Sequence, residues 1–183
     1  IILQGSWIQR ILRYHSMNVL ILGVNGFLGS QLRENLPFNI FSLDKKGSRA
    51  ETYSPEAIAS NIVDNNISVI INCCGSYSND YEVDYSANVQ VTLKVLSVVS
   101  ERRLEVKVIL FGSAAEYGAT SNNPIDEDMI CKPISIYGIT KYTQYLLSKH
   151  YRRNSDVKIV YLRLFNIHGE TAPDTLVTGK LLK

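Results

Sequence analysis

Tyr137 and Lys141 stand four residues apart in a stretch of helical pattern, about Ser135 to Arg153, so both side chains project from one face. A lysine ammonium beside a phenol stabilises the phenolate, which predicts a tyrosine pKa below its ordinary value of about 10. Such a pair is an acid/base usable near neutrality. Ser113 ends an apolar run and offers a hydroxyl to the same carbonyl or alcohol oxygen. Together the three types suit proton transfer at an oxygen while hydride moves on the attached carbon. The pair alone is not specific, since Tyr145 and Lys149 repeat the spacing. Position separates the two: Lys149 lies on the order of 12 Å further along the helix, whereas Tyr137 is near its start, beside the loop from Ser113. Tyr145 and Lys149 are expected to serve packing and surface.

The second constellation is Val19-Leu20-Ile21-Leu22-Gly23-Val24-Asn25-Gly26-Phe27-Leu28-Gly29, followed by a helical pattern through Leu36. It reads as strand, tight turn, helix. Gly23 permits the turn off the strand, Gly26 lets backbone approach a ligand, and Gly29 lets the helix pack on the sheet. A pyrophosphate there meets free N–H groups and the positive end of a helix dipole. The spacing is G-x-x-G-x-x-G rather than the more general G-x-G-x-x-G, and glycines so spaced also serve plain turns. Asp44 ends the second strand about 20 residues after Gly23, where such folds set an acid on the adenosine ribose hydroxyls. Its other reading is a turn or cap acid. Lys45, Lys46 and Arg49 follow and suit a 2′-phosphate, so NAD is favoured and NADP stays open.

The elements that must position these groups follow in order. Strands are expected at 18–22, 39–43, 68–72, 106–111 and 157–164. Helices are expected at 26–36, stopped by Pro37, at 55–65, at 84–100 and at 135–153. Ser54-Pro55-Glu56 supplies cap, first position and first-turn acid. Residues 45–54 are too short and polar for a long third strand. The alternation predicts a parallel sheet covered on both faces. Ligands bind at the carboxyl ends of such strands, which here carry the glycine turn, Asp44, Cys73-Cys74-Gly75, Ser113 and Phe165-Asn166. Asn88, on the long helix, is a structural hydrogen-bonder or a cofactor contact. His168 belongs to a strand-end loop, and His15 and His150 show no partner in sequence. Asp126-Glu127-Asp128 reads as a solvated face.

At 183 residues the chain is one domain by length. It is 45% hydrophobic and 20% charged, as ordinary soluble domains are, and its net charge of +2 carries no basic excess for nucleic acid or an anionic membrane. No apolar run approaches a membrane span. Cys73, Cys74 and Cys131 lack metal-ligand spacing, so no metal is expected; adjacent Cys73-Cys74 suit buried, reduced thiols in a cytoplasmic protein. Residues 1–16 do not flow into the fold and are expected to be an extension or cloning remnant. Met17 stands where a natural start would fall, and the final residues read as a helix cut midway.

GVNGFLG, Asp44, NCCG, Asn88, GSAAEYG, YGITK and RLFNIHG stand in this order over 17–183. As a set they resemble the extended short-chain dehydrogenases/reductases of the NAD-dependent epimerase/dehydratase family, which act on nucleotide sugars. The resemblance implies a Rossmann-type, doubly wound α/β domain over 17–183, with the substrate-binding domain that family members carry further on missing from this chain. It implies Ser113, Tyr137 and Lys141 as the catalytic set. It implies cofactor contacts from Gly23, Asn25, Gly26, Phe27, Leu28, Gly29, Asp44, Cys73, Cys74, Gly75, Asn88, Tyr137, Lys141 and Phe165, with Ser113 and Asn166 facing the sugar nucleotide. It also implies a homodimer built on the helices near 84–100 and 135–153. The 4,6-dehydratases of the family place acids just after the Ser113 position; Ala114 and Ala115 stand there, which disfavours elimination. A 4-epimerase or a 4-keto-sugar reductase remains open. The competing reading from another class is a non-catalytic dinucleotide-binding sensor or scaffold.

Overall fold

The structure, a computed structural model, describes residues 17–44, 53–78, 80–121, 124–167 and 169. The leader 1–16, His15, Lys45, Lys46, Arg49, His168 and the last fourteen residues lie outside them. Five parallel strands form one sheet in the order β2-β1-β3-β4-β5: β1 Asn18–Leu22, β2 Asn39–Phe41, β3 Val69–Asn72, β4 Lys107–Ser113 and β5 Lys158–Leu164. The helices are α1 Phe27–Asn35, α2 Pro55–Asp64, α3 Tyr81–Tyr85, α4 Val91–Glu101 and α5 Ile136–Asn154.

Local chemistry accounts for most boundaries. Ser54 Oγ accepts from the Ala57 N–H at 3.1 Å and Pro55 opens α2; Ser135 Oγ accepts from Gly138 N–H at 3.0 Å and opens α5. The long helix expected at 84–100 starts earlier, because Asp80 caps it by accepting from Val83 N–H at 3.1 Å. A π-helical turn, Ser86–Gln90, interrupts it between α3 and α4 and carries Asn88. β2 is shorter than expected, and β4 runs on through Ser113 because it pairs with β5 as far as Ser113 beside Leu164.

Both faces of β1 are buried, as expected of a parallel strand. Leu20, Leu22, Ile70, Val108 and Leu110 pack against Ile58 and Ile62 of α2 and Val91, Val95, Leu96 and Val99 of α4. Each such side chain contributes roughly 1.5–3 kcal/mol. On the opposite face Val19, Ile21 and Ile71 pack with Val24, Leu32, Leu36 and Phe38. From β1 the chain steps to one side for β2, then crosses to the other for β3. That reversal opens a crevice at the carboxyl ends of β1 and β3, where open α/β sheets bind ligands.

Candidate functional site

The glycine turn leaves β1 with Gly23 at a φ of +76°. A side chain there is strained by that conformation and also blocked: its Cβ would lie 2.8 Å from Cys74 N. At Gly29 a Cβ would overlap the Gly23 carbonyl oxygen, so α1 reaches the turn only because this residue is glycine. Gly26 caps α1 with no side-chain hydrogen bond and no acid in the first turn, which leaves the positive end of the helix open to an anion. Asn25 and Gly26 are exposed, and Phe27 and Leu28 half-buried.

Asp44 folds back onto this turn. Its Oδ2 accepts from Val24 N–H at 3.0 Å and from Ser42 Oγ at 2.7 Å, and Oδ1 accepts from the Tyr53 hydroxyl. The Tyr53 oxygen in turn accepts from Gly23 N–H at 3.1 Å. A carboxylate takes about four hydrogen bonds, and among the described residues three donors orient Asp44. Burial, above all, pushes the Tyr53 phenol far up. Tyr53, which nothing in the sequence singled out, ties Asp44 to the glycine turn.

Beyond β3, Cys73 is half-buried, Cys74 is buried and Gly75 is exposed. Burial pushes both thiols up to about 12, so they are neutral thiols at ordinary pH. Asn88 is fully buried beneath this segment: its amide nitrogen donates to Ser76 O at 3.0 Å and Thr140 Oγ1 at 2.9 Å, and its oxygen accepts from Ser76 N–H at 3.1 Å. With both amide hydrogens committed, Asn88 holds the loop to α5. Asp84, also fully buried, holds the next turn by accepting from Ser78 N–H at 2.9 Å and Ser78 Oγ at 2.8 Å.

The same loop brings Tyr77 edge-on to Tyr137, ring centroids 5.0 Å apart. The Ser113 side chain lies close enough to the Tyr137 phenol to favour its ionised form. α5 comes this close to the turn after β4 because residue 138 is glycine; a Cβ there would sit 2.6 Å from Ala115 O. Lys141 is 5% exposed, and its ammonium donates to Phe111 O at 2.9 Å, with Gln144 Oε1 at 3.5 Å. A Cβ at Gly75 would lie 3.4 Å from Nζ, so the lysine tip sits directly beneath the loop after β3. Gln144 continues into a buried polar chain, donating to Thr92 Oγ1 at 2.7 Å.

The electrostatics correct the expectation drawn from spacing. Tyr137 is raised, not lowered: burial is the largest cause, the nearby Ser113 hydroxyl opposes it, and Glu116, Asp84 and Tyr77 push the same way as burial. Burial also lowers Lys141 to about 8, against the pull of Glu116, Cys74, Cys73 and Asp84 toward the charged form. At neutral pH the resting pair is therefore a protonated phenol and a mostly protonated lysine.

Tyr145 and Lys149 stand apart from this cluster. Tyr145 packs on Tyr161, ring centroids 5.2 Å apart, and Lys149 is exposed above the Tyr145 ring. Phe165 is 57% exposed and Asn166 exposed, both just past β5. His150 is exposed and meets Asn154 Nδ2 at 3.3 Å. Asp126, Glu127 and Asp128 are exposed. Among the described residues no group of three or more His, Cys, Asp or Glu is placed to hold a metal, and no helix is long and apolar enough to cross a membrane. Glu116, Tyr161 and Arg163, which lie beneath Ser113, also escaped the sequence reading. The Ser113-x-x-Glu116 spacing is a capping-box signature and was the available signal.

A family model described as the NAD dependent epimerase/dehydratase family matches residues 19–183. UDP-glucose 4-epimerase of Mycoplasma genitalium is 32% identical over 92 residues, covering 49% of this chain and 27% of that protein. The structure of UDP-glucuronic acid 4-epimerase from Bacillus cereus in complex with NAD superposes with a TM-score of 0.74 at 22% identity, covering 87% of this chain and 60% of that one. RMD from Pseudomonas aeruginosa complexed with NADPH gives a TM-score of 0.74 at 20% identity, covering 90% and 57%. The two structures share the fold. In each comparison the chain spans less than two thirds of its relative.

Proposed function

The chain belongs to the NAD dependent epimerase/dehydratase family, and we propose that it carries the dinucleotide-binding and acid/base part of a nucleotide-sugar 4-epimerase or 4-keto-sugar reductase. The observation that carries this reading is the convergence of three residues at the carboxyl ends of the strands: Ser113 at the end of β4, Tyr137 at the start of α5 held close to the turn after β4 by Gly138, and buried Lys141 beneath the loop after β3. The chain's residues fit a dinucleotide: the uncapped start of α1 suits a pyrophosphate, and Asp44, held by Val24 N–H, Ser42 and Tyr53, suits a ribose diol. NAD is the cofactor proposed, with NADP the alternative. Cys73, Cys74 and Gly75, which follow β3, and Phe165, just past β5, are proposed as further cofactor contacts. Residues 17–183 form the cofactor-binding domain in this proposal, with 1–16 outside it.

A bound nicotinamide cofactor supplies the hydride acceptor or donor. The chain handles the proton. In the reducing direction the Tyr137 phenol, kept protonated by burial, gives its proton to the sugar keto oxygen, and Ser113 Oγ holds that oxygen by a hydrogen bond. In the oxidising direction Tyr137 takes the hydroxyl proton, and the Lys141 ammonium stabilises the phenolate this requires. Asn166 is proposed to face the sugar nucleotide. Elimination stays disfavoured. Ala114 and Ala115 offer no acid, and the acid nearest in sequence, Glu116, has no exposure and is paired with Arg163. Exposed Leu93 on α4 and Ile139 and Leu146 on α5 support the proposed homodimer, which sizing in solution tests.

The test is side-by-side titration of NADH and NADPH by fluorescence, then turnover of UDP-sugars and of nucleotide 4-keto-6-deoxy sugars by the wild type and Tyr137→Phe. The variant is expected to bind cofactor as the wild type does and to lose turnover by about 100-fold or more. Equal turnover overturns the acid/base assignment. Cofactor binding with no turnover of either substrate class favours the non-catalytic module, and binding of neither cofactor overturns the dinucleotide site.

A further inference from the structure

Glu116 is the most heavily used buried carboxylate near Ser113, and the proton chemistry proposed above does not employ it. It ends the short 3₁₀ turn Ala114–Glu116 that follows β4, and it has no solvent exposure. Its Oε1 accepts from the Ser113 N–H at 2.8 Å and from the Tyr161 hydroxyl at 2.8 Å. Its Oε2 pairs with Arg163 Nε at 2.7 Å. The same Tyr161 hydroxyl lies 2.9 Å from the backbone carbonyl oxygen of Lys141. One carboxylate therefore touches the residue that bears the Ser113 hydroxyl and, through one phenol, the turn of α5 that bears Lys141.

Arg163 cannot follow Glu116 if it moves. Its guanidinium stacks over the rings of Tyr117 and Tyr145 at 4.9 and 4.3 Å and donates to Tyr117 OH at 3.2 Å and to Glu127 O at 3.3 Å. The carboxylate is thus pinned from β5 and transmits a fixed position to the turn after β4. Buried ion pairs add little net stability over an apolar replacement. The cost of burying this one is better accounted for by what it holds in register.

We propose that Glu116 is a positioning residue: anchored by Arg163, it fixes the Ser113 turn and, through Tyr161, the Lys141 turn of α5, so that the Ser113–Tyr137–Lys141 set is assembled before any ligand arrives. The kinetic part rests on the proposed hydride-transfer function; the geometric part does not.

Two variants test it in the full chain. Glu116→Ala removes every contact. Glu116→Gln keeps an oxygen for Ser113 N–H and Tyr161 but sets an amide against Arg163. Amide hydrogen exchange followed by NMR is expected to show Ser113 N–H exchanging about 10- to 100-fold faster in Glu116→Ala, the loss expected for one hydrogen bond to a charged acceptor. Glu116→Gln should lie between that variant and the wild type, while Ile21 and Leu22 of β1 keep their protection. In turnover, Glu116→Ala is expected to lower kcat about 10- to 100-fold with KM and NADH affinity within twofold, and Glu116→Gln to recover most of it, since small misplacements of reacting groups act on kcat. An unchanged Ser113 amide in Glu116→Ala overturns the proposal. So does equal acceleration across all strands, which marks a purely stabilising ion pair. If the wild type turns over no sugar nucleotide, the functional reading fails, and the exchange data still decide the role of Glu116.

Discussion

Replacing Lys141 by methionine is expected to remove a pH-dependent penalty from the native state. Lys141 is buried, and burial lowers its pKa from an ordinary 10.5 to about 8. Between those values the unfolded chain holds a proton that the folded chain has released, so stability rises with pH across that window. Below it both states hold the proton, and the native state carries the full cost of a buried cation. A shift of about 2.5 units at about 1.36 kcal/mol each puts that cost at about 3 kcal/mol. Integrated from about pH 7 to about pH 9.5, the cost falls by about 2 kcal/mol. Methionine fills a similar volume and carries no such pH dependence. It also loses the Nζ bond to Phe111 O, a loss of about 1 kcal/mol that is nearly constant with pH. Urea denaturation of the wild type and Lys141→Met at the two pH values, read as the difference between the proteins, cancels the titration of Tyr53, Tyr161 and other groups common to both. The wild type should gain about 2 kcal/mol on the variant at the higher pH. A difference that stays constant, or a wild type that loses ground as pH rises, refutes the view that Lys141 is held charged against its burial.

Gly29→Ala should destabilise the fold by about 1–3 kcal/mol through overpacking, because its Cβ overlaps the Gly23 carbonyl oxygen; denaturation measures this, and NADH titration should show weaker binding. Tyr53→Phe leaves the Gly23 N–H without its acceptor and Asp44 without one donor, an expected cost of about 1–3 kcal/mol; unchanged stability in urea would show the hydroxyl to be dispensable. Cys73 and Cys74, pushed up to about 12 by burial, should alkylate with iodoacetamide at pH 8 two to three orders of magnitude more slowly than a free thiol, as the thiolate fraction falls by about 1,000-fold. Mass spectrometry of the labelled peptides reads the rates, and free-thiol kinetics at either position would show that burial does not control it.

The local features of this protein were legible in its sequence. The glycine turn, the Ser54 cap, the start of α5 near Ser135, the alternation of strand and helix and the i to i+4 placement of Tyr137 and Lys141 all depend on residues a few positions apart, where spacing alone dictates geometry. Even the link from Ser113 to Glu116 is written locally, as a capping box. What the sequence left open depends on residues far apart in the chain. Asp44 meets Val24 N–H and Tyr53 because β2 lies beside β1. Glu116 meets Arg163, 47 residues on, because β4 and β5 are neighbours. The sign of the Tyr137 shift is the sharpest case. Spacing puts a cation on the same helix face and predicts a lowered pKa, whereas the folded chain raises it, because Tyr77 and the β3 loop close over the phenol. Helical spacing is a property of neighbouring residues, but desolvation is a property of everything packed around a group, and only the tertiary structure decides which of the two prevails.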